Sequence, residues 1–268
     1  MKNSLSKRKL ERYSRQIILK DIGILGQKKI INSKVLIVGI GGLGSPVADL
    51  LARCGVGYIG AIDHDKVDIS NLQRQILYTS KDVGKFKVDI FKRRIKLINR
   101  DVKVKILKEK ASEKNLNKIV KDFDIIVDGT DNFKTKFLIN KFSLKYKRKL
   151  IVGAISKFDG HIFSFDFNNK SSPCLKCFYQ SEPSDEVLNC ESEGILGTTS
   201  NIIGSMQANE VLKNIISSDK SLHSSILVVN LKKLEFRKIK FTKKEVACAI
   251  NLQDFNHNIF YLECHFGG

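Results

Sequence analysis

The chain has 268 residues, of which 42% are hydrophobic and 28% are charged. This balance is typical of a packed globular protein and excludes a disordered chain, and the length suits one large domain or two small ones. No apolar run reaches the roughly 18 residues that a membrane span needs, and no apolar segment follows the basic amino terminus. We therefore expect a cytoplasmic protein without a membrane segment or a secretory signal.

The excess of 47 Lys and Arg over 28 Asp and Glu gives a formal net charge of +19. Because the lysines are spread along the chain rather than clustered, we interpret the charge as compositional and expect no nucleic-acid partner. A basic surface also attracts acidic proteins and nucleotides, and the charge is compatible with both. Six cysteines are too few for a disulfide scaffold, and the C-x-x-C pair formed by Cys174 and Cys177 indicates a metal or redox role instead.

The amino-terminal half predicts an alternation of strands and helices. Each predicted strand is a short apolar run rich in Val and Ile, and each predicted helix repeats apolar residues at helical spacing. The predicted strands are 34–39, 58–63, 102–107, 124–128 and 150–153. The predicted helices lie within 10–31 and at 43–54, 85–99, 112–121 and 132–147. Strands that alternate with helices predict a parallel sheet covered on both faces.

The pattern changes near residue 160, where strands follow one another with less helix between them. We predict an antiparallel strand at 161–167, a helix at 201–216, and strands at 225–229 and 234–241, all continuing the same sheet. The expected fold class is therefore α/β, a Rossmann-like doubly wound sheet with mainly parallel strands, continued by antiparallel strands in the carboxy-terminal half. We expect a single domain, 1–268, with an amino-terminal half up to about 155 and a carboxy-terminal half from about 156.

A glycine-rich loop follows the first predicted strand. It contains Gly39, Gly41, Gly42 and Gly44, and it satisfies the G-x-G-x-x-G spacing between a strand and a helix. Glycines permit a tight turn and close approach to a phosphate, while the helix N-terminus supplies N–H groups and partial positive charge. Asp63 ends the second strand, where a carboxylate can accept hydrogen bonds from ribose hydroxyls. The pattern predicts a nucleotide site.

The glycine loop and Asp63 fit NAD and ATP equally, and the residues that follow separate the two. Asn71 and Arg74 come after the acid, and Lys87 lies farther along the chain. Cations beside phosphates neutralise the charge that develops during phosphoryl or adenylyl transfer, which a dehydrogenase does not need. Asp131 follows the fourth strand, where a carboxylate can hold Mg²⁺ beside a triphosphate. The combination favours ATP chemistry, and an NAD-dependent oxidoreductase is the alternative that the glycine loop alone would suggest.

Several motifs, taken together in this order, give the chain a specific resemblance to one enzyme family. They are 12–17 (RYSRQI), the glycine loop at 39–44, 70–75 (SNLQRQ), 130–132 (TDN), the pair Cys174 and Cys177, and 204–208 (GSMQA). Over about 11–241 the chain closely resembles the ubiquitin-activating-like adenylyltransferases of bacteria. These are the molybdopterin-synthase adenylyltransferase and its counterpart in thiamine biosynthesis. The motifs do not choose between the two pathways.

The resemblance implies that the chain uses ATP to adenylate the C-terminal glycine of a small ubiquitin-like sulfur carrier and releases pyrophosphate. It assigns ATP to the amino-terminal half, held by the glycine loop and Asp63, and the carrier to the carboxy-terminal half. Asn71, Arg74 and Lys87 are implied to contact the phosphates and the ribose, and Asp131 to bind Mg²⁺. Since the carrier carboxylate is a nucleophile near neutral pH, catalysis needs positioning and charge neutralisation rather than a general base.

The resemblance also implies partners. The substrate is a carrier that ends in Gly-Gly, and a sulfurtransferase or cysteine desulfurase is a further partner. Arg15 is implied to reach into the active site of the other subunit of a homodimer. A catalytically inactive homologue that only binds the carrier is a third alternative.

Cys190 lies in a polar predicted loop before the helix at 201–216. The resemblance implies that a cysteine at this place can link covalently to the activated carrier or carry sulfur. Glu191 and Glu193 flank it, however, and their charges would raise the pKa of the thiol rather than lower it. A catalytic thiol and an exposed bystander therefore both remain open.

Cys174 and Cys177 form a C-x-x-C pair, which is half of a common structural zinc site. The resemblance implies a second such pair after the last strands, but Glu245 stands where its first cysteine is expected, and only Cys248 is present. We predict zinc bound by Cys174, Cys177 and Cys248, with a fourth ligand that the sequence does not assign. The candidates for that ligand are Glu245, His257, Cys264 and His265. A degenerate site without metal is the alternative.

Overall fold

The computed structural model describes residues 5–179, 194–217 and 221–244. Within these ranges eight strands form one sheet. They are β1 (Lys34–Val38), β2 (Tyr58–Ile62), β3 (Lys103–Leu107), β4 (Ile125–Asp128), β5 (Lys149–Ser156), β6 (Asp159–Asp166), β7 (Ser225–Asn230) and β8 (Glu235–Lys240). Their order across the sheet is β3-β2-β1-β4-β5-β6-β7-β8. The pairs from β3 to β5 are parallel and those from β5 to β8 are antiparallel, which confirms the predicted fold class.

Helices cover both faces of this sheet. In the described residues they are α1 (Lys7–Arg12), α2 (Ser14–Ile17), α3 (Gly23–Asn32), α4 (Gly44–Cys54), α5 (Lys87–Ile98), α6 (Glu113–Ile119), α7 (Phe133–Lys145), α8 (Leu175–Tyr179) and α9 (Gly197–Ile216). The region 10–31 thus divides into three helices, and the other predicted helices are each present. No helix in the described part of the chain is long and apolar enough to cross a membrane.

Side chains of each strand alternate between the two faces of the sheet and build a hydrophobic cluster on each. In β1, Val35 and Ile37 join the cluster formed with α4, α5 and α9. Leu36 and Val38 join the cluster formed with α6, α7 and α8. All four side chains are buried, as expected of a parallel strand covered on both faces. Burial on two faces therefore fixes the strand that leads into the glycine loop.

The position of β1 in the sheet explains where a ligand can bind. β1 lies between β2 and β4, so the strand order reverses beside it. Open α/β sheets bind ligands at such a switch point, outside the carboxyl ends of the strands. The loops after β1, β2 and β4 all begin at this edge, and they carry the residues at 39–43, 63–75 and 129–132.

The carboxy-terminal half departs from the prediction in several details, among them the start of α9 at Gly197 rather than at 201. β5 and β6 are longer than predicted because they form a tight hairpin, in which Ser156 pairs with Asp159. Lys157 in this turn has φ of 51°, a left-handed conformation for which the sequence provides no glycine. The short helix α8 is an addition to the predicted elements, and it begins directly after Cys174 and contains Cys177.

Candidate nucleotide site

The loop from β1 to α4 packs its backbone against the loop after β4. Gly39 has φ of +85°, which other residues rarely adopt, and a Cβ there would lie 3.0 Å from Gly129 O. A Cβ on Gly44 would lie 2.0 Å from Gly39 O. Both positions therefore need glycine, the first for the turn and the second for the close approach within the loop.

Gly41 and Gly42 form the part of the loop that fits a phosphate group. Among the described residues, a Cβ on Gly41 would meet only Gln75 Nε2, at 3.8 Å, so the backbone here borders open space. A Cβ on Gly42 would lie 2.5 Å from Ser200 Oγ and 3.6 Å from Arg74 Cδ. The loop is therefore a narrow cradle of bare backbone before the N-terminus of α4, which suits an anion such as the phosphates of ATP.

Asp63 follows β2, and its carboxylate holds the glycine loop. Its Oδ2 accepts a hydrogen bond from Ile40 N at 2.7 Å, and its Oδ1 accepts one from Asp65 N at 2.8 Å. Burial raises the pKa of Asp63, while the Lys87 charge and these two N–H donors lower it. The carboxylate that the sequence assigns to ribose therefore also fixes the shape of the loop.

Lys87 is the first residue of α5, and its ammonium group reaches the same edge. The residue is only 6% exposed, and its Nζ lies 3.0 Å from Asp65 Oδ2. The other oxygen of Asp65 lies 3.3 Å from His64 Nε2. Because the Asp65 side chain is half exposed, a phosphate could replace it as the partner of the Lys87 ammonium. The pair thus places a cation next to Asp63 and the loop.

A short 3-10 turn, Ile69–Asn71, leads to Arg74. The amide oxygen of Asn71 accepts a hydrogen bond from Asp68 N at 3.2 Å and closes the turn. Arg74 Nη1 donates to Ser70 O at 3.0 Å, and Asn201 Nδ2 donates to Arg74 O at 3.1 Å. Arg74 is therefore held beside the glycine loop by its own turn and by α9.

The loop after β4 carries Asp131 and is organised by the buried Asp128. Asp128 Oδ1 accepts hydrogen bonds from Thr130 N at 2.9 Å and Thr130 Oγ1 at 2.7 Å. Its Oδ2 lies 3.4 Å from Lys136 Nζ, which also donates to Gly153 O at 2.7 Å. Burial raises the pKa of Asp128, while the Lys136 charge and the Thr130 donors lower it. Asp131 itself is exposed.

Carboxylates at this edge differ in their suitability for a metal ion. Asp63, His64 and Asp65 each place one possible ligand atom within 4.8 Å of the other two. In the described residues this is the cluster of side chains whose spacing would suit a metal ion. The oxygens of Asp63 already accept N–H groups, and Asp65 pairs with Lys87, so this cluster does not favour a cation. The exposed carboxylate of Asp131 fits Mg²⁺ better, because Mg²⁺ beside a triphosphate needs only one or two protein carboxylates.

Cys174 and Cys177 are buried, and their Sγ atoms lie 3.8 Å apart. Two thiolates at about 2.3 Å from a tetrahedral zinc ion lie about 3.8 Å from each other, so the pair has the spacing of zinc ligands. Lys244 N donates to Cys177 Sγ at 3.4 Å, which brings the chain before residue 245 to the pair. The predicted residues that lie outside the described ranges are Cys190, Glu245, Cys248, His257, Cys264 and His265.

Arg15 stands apart from the other predicted site residues that the structure describes. It is exposed on α2, which packs mainly on α1 and α3. The glycine loop, Asp63, Arg74 and Lys87 meet at the carboxyl edge of the sheet, as described above. A role of Arg15 in catalysis therefore depends on a second copy of the chain.

Comparison with known proteins places this arrangement in a family. A model described as the ThiF family matches residues 13–250. The chain belongs to the ThiF family. The match spans all eight strands and confirms the resemblance predicted from the motifs.

Named relatives of this ThiF-family chain align with most of its length. A probable molybdopterin-synthase adenylyltransferase of Gracilaria tenuistipitata var. liui is 38% identical over 98% of this chain and 73% of that protein. A sulfur carrier protein adenylyltransferase of Thermus thermophilus is 34% identical over 91% of this chain and 92% of that protein. An adenylyltransferase and sulfurtransferase MOCS3 of Culex quinquefasciatus is 37% identical over 91% of this chain, which spans 56% of the relative.

Solved structures share the fold. E. coli MccB with MccA-N7isoASN has a TM-score of 0.78 at 23% identity, over 92% of this chain and 75% of that chain. E. coli MccB with ATP has a TM-score of 0.76 at 25% identity, over 88% of this chain and 73% of that chain. At identities this low, the likeness shows a shared fold and no more. That fold agrees with the sheet order described above.

Three residues at this candidate site were not assigned a role from the sequence. Asp65 pairs with Lys87, and its place two residues after Asp63 is a signal that could have found it. Gln75 and Ser200 are buried beside the glycine loop. Within the described residues, Gln75 Oε1 and Ser200 Oγ have no hydrogen-bond partner. Their proximity to the loop arises from contacts between distant segments, for which the sequence carries no local pattern.

Proposed function

We propose that this chain is an ATP-dependent adenylyltransferase that activates the C-terminal glycine of a small ubiquitin-like sulfur carrier. The observation that carries the proposal is a glycine cradle bordered by Arg74, with the Lys87 ammonium close to Asp63 at the same edge. A phosphate cradle with two cations beside it suits a reaction at phosphorus rather than hydride transfer. Relatives named adenylyltransferases support the same reaction class.

The proposed reaction joins the carrier to AMP. An oxygen of the carrier's terminal carboxylate forms a bond to the α-phosphorus of ATP, and the bond from that phosphorus to pyrophosphate breaks. The products are the carrier acyl-adenylate and pyrophosphate. A carboxylate is ionised near neutral pH, so no side chain has to remove a proton from the nucleophile. What the chain supplies is alignment of the two reactants and neutralisation of charge.

The described residues divide these tasks. The glycine loop and Asp63 hold the nucleotide, and Asn71 contributes an amide beside the phosphates and ribose. Arg74 and Lys87 neutralise the charge that grows on the phosphate oxygens. In the free protein Lys87 is paired with Asp65, which keeps its ammonium in place without locking it, because the carboxylate is half exposed.

We assign Mg²⁺ to Asp131. When bound, the ion would neutralise the phosphate oxygens around the reacting phosphorus. The contribution of the chain is to present an exposed carboxylate next to the glycine loop. Gly129 packs on Gly39 and Gly44, so the loop that carries Asp131 is fixed against the nucleotide loop.

We propose a homodimer in which Arg15 completes the site of the partner subunit. Besides the exposure of Arg15, apolar side chains on the same segment support a protein contact: Ile18, Leu19 and Leu25 are 69%, 54% and 74% exposed. Mixed dimers of Arg15→Ala and Asp131→Ala chains should recover activity, because one of their two sites has both residues. Mixed dimers as inactive as either parent would contradict the shared site.

We propose that the carboxy-terminal half binds the carrier and zinc. Cys174 and Cys177 supply two ligands with suitable spacing, and Cys248 a third, while the fourth stays unassigned. Zinc would tie the chain after β8 to α8. Metal analysis of the purified protein tests this: about one zinc per chain is expected, lost in Cys174→Ser. Less than about one zinc per two chains, unchanged by Cys174→Ser, would contradict it.

We further propose that Cys190 has one of two roles. Its thiolate either attacks the carrier acyl-adenylate, which forms a thioester and releases AMP, or receives sulfane sulfur as a persulfide from the persulfide of a sulfurtransferase or cysteine desulfurase. Both the molybdopterin and the thiamine pathways use such a carrier, and the site residues are compatible with either. Replacement of Cys190 by Ser separates the steps, because adenylation should persist while transfer of sulfur to the carrier is lost.

Carrier-dependent exchange of labelled pyrophosphate into ATP tests the central proposal. Exchange is expected with a carrier that ends in Gly-Gly, and the matched control is the same carrier without those two residues. Binding of NAD without exchange would favour an oxidoreductase. Binding of the carrier without exchange would favour an inactive homologue.

A further inference from the structure

Tyr78 is buried against the glycine loop and contacts it through one hydrogen bond. The residue is 5% exposed, and its hydroxyl donates to Ile40 O at 2.7 Å. On the other side of the same residue, Ile40 N donates to Asp63 Oδ2 at 2.7 Å. Both backbone polar groups of Ile40, which is itself fully buried in the middle of the loop, are therefore held by side chains from other segments.

The bond to Ile40 O also determines the orientation of the next residue. The carbonyl of Ile40 and the N–H of Gly41 belong to one planar trans peptide, in which they point in opposite directions. Tyr78 holds the carbonyl, so the Gly41 N–H points away from Tyr78. In the described part of the chain this N–H meets no acceptor, and Gly41 is the loop position that borders open space.

We propose that Tyr78 is a positioning residue that keeps the Gly41 N–H directed at a phosphate oxygen of the nucleotide. The inference rests on the proposed ATP site and adds a residue to which the sequence motifs assign no role. Tyr78 lies four residues after Arg74, so the same hydrogen bond also ties the Arg74 segment to the glycine loop.

The chemistry of the phenol fits a donor. Burial raises the pKa of Tyr78 well above its usual value, and the nearby charges of Asp63 and Asp65 raise it further. The hydroxyl therefore keeps its proton throughout the pH range of an assay. If the hydroxyl is removed, Ile40 O loses a buried partner and its peptide plane gains freedom to rotate.

The test is Tyr78→Phe, which removes one oxygen and keeps the ring that packs in the core. Dissociation constants for ATP and for adenosine are measured by calorimetry on the full chain. The ATP constant is expected to rise about tenfold while the adenosine constant stays within about twofold, because Gly41 N–H serves only the phosphates. Equal affinity of the variant and the parent protein for ATP, or an equal loss for adenosine, would overturn the proposal.

Tyr146→Phe is the matched control. Its hydroxyl also has a backbone carbonyl within hydrogen-bond distance, Asn117 O at 2.9 Å, together with Asn117 Oδ1 at 2.7 Å. It lies at the far end of α7 from the loop after β4. It reports the effect of losing such a bond elsewhere, and its ATP affinity is expected to equal that of the parent protein.

The rescue variant is 4-aminophenylalanine at position 78, which restores an N–H donor at the same place. ATP affinity within about twofold of the parent protein is expected. An ATP affinity as low as that of Tyr78→Phe would contradict the hydrogen bond as the cause. If Tyr78→Phe does not fold, the rescue variant is compared with the parent protein alone. Absence of carrier-dependent exchange in the parent protein would instead refute the proposed function, so the two failures are distinguishable.

Discussion

The two halves of the molecule share one sheet but place their loops differently. In the amino-terminal half the strands run parallel, so each strand returns to the same edge, and the loops with Gly39, Asp63 and Asp131 converge there. From β5 to β8 the strands run antiparallel, and successive turns lie at opposite edges. Parallel order therefore concentrates candidate site residues, and antiparallel order does not.

The carboxy-terminal half reaches the site through a helix rather than through strand ends. The amino-terminal end of α9 places Ser200 beside Gly42, and Asn201 Nδ2 donates a hydrogen bond to Arg74 O. Deeper in α9, Gln207 Nε2 donates to Asp128 O at 2.9 Å, at the end of β4. The half proposed to bind the carrier is thus mechanically connected to the half proposed to bind ATP, at three places along one edge.

The largest expected effect is that of Asp131→Ala, which tests whether the parallel half concentrates the site residues. This variant removes an exposed carboxylate from the edge where the loops of that half converge. Carrier-dependent pyrophosphate exchange should fall by about a thousandfold or more, because a ligand of a catalytic metal contributes several kcal/mol. The free energy of unfolding should stay the same, since the side chain is exposed. Asp122→Ala, another exposed acid, is the control. Near-normal exchange in folded Asp131→Ala would remove Asp131 from the site.

Lys136→Met tests how firmly β4 is held to β5 at the edge where the loops of the amino-terminal half converge. Its ammonium bridges Asp128 of β4 and Gly153 of β5, and removing one partner of a buried ion pair costs about 3–5 kcal/mol. Lys141→Met on the same helix breaks the exposed pair with Glu113, which is worth less than about 1 kcal/mol. Urea unfolding at neutral pH measures both. Equal losses in the two variants would show that the buried pair does not hold β4 and β5 together.

Local patterns predicted most of the fold. The amino-terminal strands are continuous apolar runs that end at Gly39, Asp63 and Asp128, and the structure places them within a residue or two of the predicted bounds. The lengths of β5 and β6 were underestimated because their turn lacks a recognisable turn residue. Lys157 adopts a positive φ there, where a glycine or asparagine would have indicated a tight hairpin. Helix α8 has only five residues, too few for a periodic signal.

The candidate site was predicted less completely than the fold. Sequence spacing after strand ends predicted the glycine loop, Asp63, Arg74 and Lys87, and the structure brings them to one edge because the topology places these strand ends together. It did not find Tyr78 or the contacts of α9, which depend on how distant segments pack. Such contacts follow from tertiary structure and leave no period or motif in the sequence.

Lys87→Ala sharpens the comparison within the amino-terminal half. The turnover number should fall by about 10- to 100-fold, and the Michaelis constant for ATP should change less, because the ammonium neutralises negative charge that develops on the phosphate in the transition state. Arg74→Ala should behave alike. Lys108→Ala, which breaks the exposed pair with Asp89, is the control. A rise confined to the Michaelis constant would assign the residue to ground-state binding instead.

The smallest expected effect concerns pH and the carboxy-terminal half. Burial lowers the pKa of His161 in β6, and the Asp159 charge offsets this only in part. Below about pH 6.5 the unfolded chain then binds a proton that the folded chain does not, so the free energy of unfolding falls as the pH decreases from there. Each unit of difference between the folded and unfolded pKa values is worth about 1.4 kcal/mol.

Urea unfolding between pH 7.5 and 5.5 should show a shallower decline in the free energy of unfolding for His161→Gln than for the parent protein. Burial also lowers the pKa of His223, so part of the decline should remain in the variant. An identical pH dependence in both proteins would mean that β6 does not bury this imidazole as the sheet places it.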